Sequence, residues 1–145
     1  MGDSVSSPGG RTFESWVQVS RWATELHDPQ SVPDESVAAK ARELTANSKT
    51  ELERIRAIAQ FVQRLQYISI DIGVGRGNGY RPHAASQVLA KAYGDCKDKA
   101  NLMRSMLKAI NITAYPIAIY LGDATHVRKS GPHPASSTIA LLPSR

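Results

Sequence analysis

Cys96 is the only thiol in the chain, and the run around it, Tyr93-Gly94-Asp95-Cys96-Lys97-Asp98-Lys99-Ala100, has the make-up of a helix start. Gly94 ends whatever precedes it. Asp95 is a good N-cap, because its carboxylate accepts a hydrogen bond from an orphan backbone N–H of the first turn. Cys96 then falls at the first helical position, in the field of the positive end of the helix dipole. Lys97 and Lys99 add positive charge close by in sequence. Both effects favour thiolate over thiol, and Asp95 and Asp98 oppose them. A thiolate so placed can attack an acyl carbon and form a thioester, with its own backbone N–H holding the oxyanion. The competing reading is a buried thiol that packs as a small hydrophobe. The polar neighbours of Cys96, and its place off the apolar face of the helix, favour the reactive reading.

A cysteine nucleophile needs a histidine base and an orienting carboxylate or amide. The chain offers His27, His83, His126 and His133. His27 lies at a helix end, where an imidazole serves the dipole. His83, in Tyr80-Arg81-Pro82-His83, precedes a short helix and reads as a capping or supporting group near Cys96. His126 and His133 lie in a loop-like stretch. Residues 127 to 145 contain no Asp, Glu, Asn or Gln, so no Cys, His, Asp series in that chain order is completed here.

Other chemistries fail on spacing. The run Gly73-Val74-Gly75-Arg76-Gly77-Asn78-Gly79 satisfies neither the dinucleotide fingerprint nor the phosphate-loop pattern, and reads as a mobile loop. Cys96 with His83, His126 or His133 matches no familiar zinc spacing. No acidic loop has calcium-ligand spacing. The cysteine chemistry itself calls for no metal and no cofactor.

The elements that would position Cys96 follow from periodicity. Leu102, Met103, Met106, Leu107 and Ile110 give a helix over Cys96–Ile110 one apolar face, and Asn111 suits a left-handed cap after it. A first helix spans Phe13–Leu26, with Phe13, Trp16, Val17, Ser20, Ala23 and Leu26 on one side and Trp22 nearby; Pro29 stops it. A second spans Pro33–Ala46, with Val37, Ala38, Ala41 and Leu44 inward. A third spans Glu51–Gln66 behind a Thr50/Glu53 capping box, with Leu52, Ile55, Ile58, Ala59, Val62 and Leu65 inward. Tyr67–Ile72 alternates and reads as a strand. Ala84–Ala92 is a short helix. Thr113–Leu121 reads as a strand that Pro116 confines to an edge or to one-sided pairing. Gly122–Ser137 is loop-like, and Thr138–Leu142 is another strand. Helices first and strands after argue an α+β fold.

Composition sets the frame. The 145 residues are 41% hydrophobic and 21% charged, an ordinary globular balance with enough chain for one core. No apolar stretch approaches a membrane span, and Met1–Gly10 has no apolar centre of a signal peptide. One cysteine excludes an internal disulfide and a multi-cysteine zinc site. The net charge of +5, with a pI near 9.6, raises nucleic-acid binding. The basic residues are dispersed and not interleaved with aromatics, so a solvated basic surface is the better reading.

At Gly79-Tyr80-Arg81-Pro82-His83 followed by Tyr93-Gly94-Asp95-Cys96-Lys97-Asp98-Lys99-Ala100, the chain resembles the transglutaminase-like superfamily. The branch it is most similar to is bacterial and carries a β-rich domain ahead of the core. The likeness runs from about Ser15 to the end, and Gly-Asp-Cys-Lys-Asp-Lys is its specific part. The resemblance implies a papain-like α+β fold, with the cysteine at the N-terminus of a central helix packed on an antiparallel sheet. It implies a Cys, His, Asp triad performing acyl transfer or amide hydrolysis on protein or peptide substrates. Cys96 matches the nucleophile. Asp95, Lys97 and Asp98 supply the cap and the local charge. Tyr80, Arg81 and His83 are the local candidates for oxyanion or substrate contacts. The family's histidine follows a Leu-Pro-Ser-like stretch, which here is Leu142-Pro143-Ser144. The expectation is therefore residues 1–12 as a disordered leader and 13–145 as a core truncated at its C-terminus, with the catalytic His and Asp beyond Arg145. On that view this chain is inactive while its parent is an enzyme. Leu121, Ile139, Leu141 and Leu142 would then pack poorly or pair with another copy through the incomplete sheet. The alternative on the same fold is a non-catalytic protein- or peptide-binding module. For the full-length protein the resemblance implies a periplasmic or cell-surface setting.

Overall fold

The computed structural model describes residues 5–6, 12–13, 16–68, 81–120 and 137–143. The expected glycine-rich loop, the strand beyond Ile68, and the loop from Gly122 lie outside them, as do Tyr80, His126 and His133. The chain order is β1 (Val5–Ser6), β2 (Thr12–Phe13), α1 (Trp16–His27), a 3-10 turn (Asp28–Ser31), α2 (Glu35–Thr45), α3 (Glu51–Arg64), β3 (Gln66–Tyr67), α4 (Ala85–Lys91), β4 (Tyr93–Gly94), α5 (Cys96–Ala109), β5 (Ala114–Tyr120) and β6 (Ser137–Pro143). The architecture is α+β, as the order of patterns predicts.

Each helix starts where its side chains can satisfy the first turn. The Asp34 carboxylate accepts from the Val37 N–H at 2.9 Å and opens α2. At α3 the Thr50 hydroxyl accepts from the Glu53 N–H at 3.2 Å, while the Glu53 carboxylate accepts from the Thr50 N–H at 3.4 Å. This is the reciprocal box that the Thr-x-x-Glu spacing predicts. Asn111 has φ 63° and closes α5 in the left-handed region.

Four helices enclose the core. Val37 and Ala41 of α2, Ile58 and Val62 of α3, Ala85 and Val88 of α4, and Leu102, Met106 and Leu107 of α5 are buried together, with Ile112 and Ala114. Each fully buried leucine contributes about 1.5–3 kcal/mol. Two expected core positions differ. Leu52 is 63% exposed and Val17 66% exposed. The first turn of α3 projects beyond the partners that cover Ile58 and Val62. α1 packs mainly on the 3-10 turn that follows it rather than on the core.

The strands form three separate pairs. β5 and β6 run antiparallel over their whole length, with Ala114 opposite Pro143 and Tyr120 opposite Ser137. β1 and β2 form a short antiparallel pair. β3 and β4 are parallel, with Gln66 opposite Tyr93 and Tyr67 opposite Gly94. That last pair brings the end of α3 beside the start of α5.

Candidate active site

α5 collects the chain around itself through bonds from its own side chains. The Lys99 ammonium donates to the carbonyls of Gln63 at 3.1 Å and Leu65 at 3.0 Å. It thereby serves the C-terminal carbonyls of α3, which have no intrahelical partner. The Asn101 amide donates to the carbonyls of Gln30 at 2.8 Å and His83 at 3.1 Å. Arg104 donates to the Ala114 carbonyl at 3.1 Å and pairs with Asp28 at 2.7 Å. Segments from four parts of the sequence are thus fixed to one helix, whose first residue is Cys96.

The first turn of α5 is capped twice. The Asp95 carboxylate accepts from the Asp98 N–H at 3.1 Å, and the Asp98 carboxylate accepts from the Asp95 N–H at 3.2 Å. The Cys96 N–H remains among the orphan donors of the turn. Lys97 pairs with Asp95, so that its charge is met locally. Gly94 is buried, and a Cβ placed on it would lie 2.6 Å from the Asp98 Cβ. The tight approach of β4 to the helix start therefore requires glycine.

Asp98 is 4% exposed. It also accepts from the His83 N–H at 2.8 Å, and the His83 Nδ1 stands 3.1 Å from both carboxylate oxygens. Facing an acceptor-only group, Nδ1 is the protonated nitrogen. A narrow cleft of about 30 Å³ lies on this side, between His83, Gln87, Lys91 and Tyr93. Cys96 does not line it. Cys96 and Asp98 are two residues apart, about 200° of helical rotation, so the His83–Asp98 pair lies across the helix from the thiol.

The thiol is half-buried, and its neighbour is Tyr67. The Tyr67 phenol is held above its usual 10.0. Partial burial is the main cause. Negative charge at Cys96 and Asp95 acts in the same direction, and Lys97 opposes it.

Arg81 is exposed and Pro82 after it is buried. Among the described residues no three histidine, cysteine, aspartate or glutamate side chains could hold a metal ion, and no helix is long and apolar enough to cross a membrane.

The sequence motif predicts a cysteine opening a central helix capped by Asp95, and α5 opens in that way; the second cap from Asp98 and the strand that ends at Gly94 are findings of the structure. The family model described as "Transglutaminase-like superfamily" matches residues 38–136. The chain belongs to the transglutaminase-like superfamily.

Two solved structures share the fold. A candidate protease from Parabacteroides distasonis is 25% identical, with a TM-score of 0.62 over 83% of this chain and 24% of its own. A candidate cysteine protease from Cytophaga hutchinsonii is 15% identical, with a TM-score of 0.53 over 81% of this chain and 37% of its own; that likeness concerns the fold. The chain therefore spans about a quarter and somewhat over a third of the lengths of these proteins. No curated protein matches it.

Tyr67, opposite Gly94 in the β3–β4 pair, is a neighbour of the Cys96 turn that sequence reasoning did not name. The alternation from Tyr67 to Ile72 identified a strand but gave no partner for it. The available signal was the short spacing between Gln66-Tyr67 and the end of the third helix, which Lys99 ties to α5.

Proposed function

We propose that Cys96 is the nucleophile of a cysteine-protease-like acyl transfer, in which a protein or peptide amide is converted to a thioester at the sulfur. The observation that carries this reading is the half-buried thiol at the first position of a doubly capped helix in a transglutaminase-like core. Asp95 and Asp98 fix the helix start, and through it the direction of the thiol and of the Cys96 N–H. Sulfur attacks the carbonyl carbon and the π pair moves to oxygen, where the N–H stabilises it. The leaving amine takes its proton from an imidazole. His83 is committed to Asp98, so that imidazole comes from outside the described residues. Water then completes hydrolysis, or an amine completes transfer.

An activated ester tests the nucleophile without needing the imidazole, because p-nitrophenolate leaves unprotonated. Incubation with p-nitrophenyl acetate should place one acetyl group on Cys96, read by mass spectrometry of the intact chain and its peptides. Cys96→Ser should take up none at that residue. Added methylamine then separates the two fates, since transfer gives N-methylacetamide and hydrolysis gives acetate. A Cys96 that reacts no faster than N-acetylcysteine would reduce the protein to a binding module on this fold.

A further inference from the structure

The cleft beside α4 has a chemistry that the reaction at Cys96 leaves unused. Its polar residues are His83, Gln87, Lys91, Tyr93 and Asp98, set beside the apolar Ile68 and Val88. Asp98 has nothing to offer a cation there. Its carboxylate accepts from the N–H groups of His83 and Asp95 and faces the His83 Nδ1 at 3.1 Å, and the residue is 4% exposed. With Nδ1 committed to Asp98, the ring has Nε2 left for the cleft, on a side chain that is 54% exposed. The Lys91 ammonium stands 6.0 Å from the centre of the Tyr93 ring, within the range of a cation–π contact. Lys91 is the only lining residue that carries a full positive charge whatever the state of the imidazole. The cleft therefore presents a cation and an imidazole edge, and its own carboxylate is already satisfied.

We infer that this cleft binds a carboxylate, carried by an acidic side chain of a polypeptide or by a small free acid. One oxygen accepts from the Lys91 ammonium in a charge-assisted bond. The other meets Nε2 of His83. The ring then stands between two carboxylates, takes up a proton from solvent, and donates from both nitrogens. The other titratable groups that share the cleft are Lys91 of α4 and Tyr93 of β4. The Lys91 charge opposes the second proton on the ring, and the bound anion offsets both. A volume of about 30 Å³ holds about two water-sized atoms. That suits the oxygens of a carboxylate and is too small for a phosphate. The inference does not depend on the role of Cys96. It touches the thiol's surroundings only through Asp98, which seats His83 and also caps the turn that carries Cys96.

Acetate is the probe, titrated into the unmodified chain at fixed pH and ionic strength, with chloride as the ion it replaces. The ¹³Cε1–¹H signal of His83 should shift and saturate. A drift that never saturates, or one shared equally by all the histidines, overturns the proposal. Lys91 is exposed and is the last residue of α4, so its replacement leaves the fold in place. Lys91→Met should weaken acetate by about tenfold, the scale of one lost charge-assisted bond, and Lys91→Arg should hold it within about threefold of the unmodified chain. Equal affinity in Lys91→Met and the unmodified chain overturns the site. Inorganic phosphate at the same pH should bind more weakly than acetate, and tighter binding of phosphate overturns the assignment to a carboxylate. N-acetylglutamate α-amide carries the same group on a peptide unit. Tighter binding than acetate identifies an acidic side chain of a polypeptide as the ligand, and binding no tighter than acetate identifies a small free acid.

Discussion

The carboxylate of Asp98 binds His83 twice, accepting from its backbone N–H at 2.8 Å and facing its Nδ1 at 3.1 Å. The same carboxylate closes the helix cap on the Asp95 N–H. One buried side chain therefore joins the segment before α4 to the turn that carries Cys96. Asp98→Ala strips two backbone N–H groups of their acceptor, each costing about 1–3 kcal/mol when left unsatisfied. The expected loss is about 2–4 kcal/mol in urea unfolding. Asp98→Asn keeps the shape and one acceptor and should lose about half as much. A loss below about 1 kcal/mol for Asp98→Ala would show that the pair does not hold the site together.

Gly94→Ala tests the closeness of β4 to the helix. The added Cβ meets the Asp98 Cβ at 2.6 Å, a contact with the stem of a side chain rather than its flexible end. The expected cost is about 1–3 kcal/mol, typical of overpacking. Alkylation of Cys96 in the folded variant should also change, because the helix start must shift. Full stability together with an unchanged alkylation rate would contradict the arrangement.

Ala92 precedes this strand at φ 59°, a left-handed conformation unfavourable for a residue with a Cβ. It ends α4 with its N–H bonded to the Val88 carbonyl at 3.0 Å, and its own carbonyl accepts from Gln66. Ala92→Gly should relieve the strain and stabilise the protein by about 0.5–1 kcal/mol after glycine's entropic cost. In a chain of 145 residues this corresponds to a Tm higher by about 2 °C. A lower Tm would refute the assignment of strain.

These three positions also mark the limits of reading the sequence. The helices were legible because apolar spacing and caps are local. Thr50 with Glu53 and Asp95 ahead of Cys96 announced their helices, and Asn111 its cap. The setting of Cys96 was legible for the same reason. The pairing of Gln66-Tyr67 with Tyr93-Gly94 was not, because two-residue strands carry no alternation and are defined by what lies opposite. Asp98, Asn101 and Ser105 form a buried polar stripe on α5. Sequence patterning sends such residues to solvent. The partners of Asp98 and Asn101 are chiefly backbone groups of distant loops, which no sequence spacing reveals. Leu52 shows the converse, an apolar residue on the expected face but beyond the reach of the core.

Lys99→Met removes the ammonium that holds Gln63 and Leu65 while keeping most of the stem. The two bonds are charge-assisted but partly open to water, so the expected loss is about 1–2 kcal/mol. The larger consequence is for β3, which begins one residue after Leu65 and pairs with β4 just before Cys96. In the folded variant the alkylation rate of Cys96 by iodoacetamide should change, because the strand beside the helix start loses its anchor. An unchanged rate would mean that the lysine does not act through the strand.

The raised phenol of Tyr67 makes stability depend on alkaline pH. In the unfolded chain this tyrosine loses its proton near 10.0, whereas in the folded protein it holds the proton to a higher pH. Between those values the folded state binds more protons, so its stability falls as pH rises. The contribution is complete below about pH 10 and is lost as pH climbs through the folded value. Cys96 and Asp95 oppose the phenolate and Lys97 favours it, so neutralising Lys97 should steepen the fall. Urea unfolding at pH 9, 10 and 11 should show a shallower decline in Tyr67→Phe than in the unmodified chain, because the lysines and other tyrosines contribute equally to both. Identical slopes would mean that Tyr67 titrates as a free phenol, and that the charge at Cys96 does not reach it.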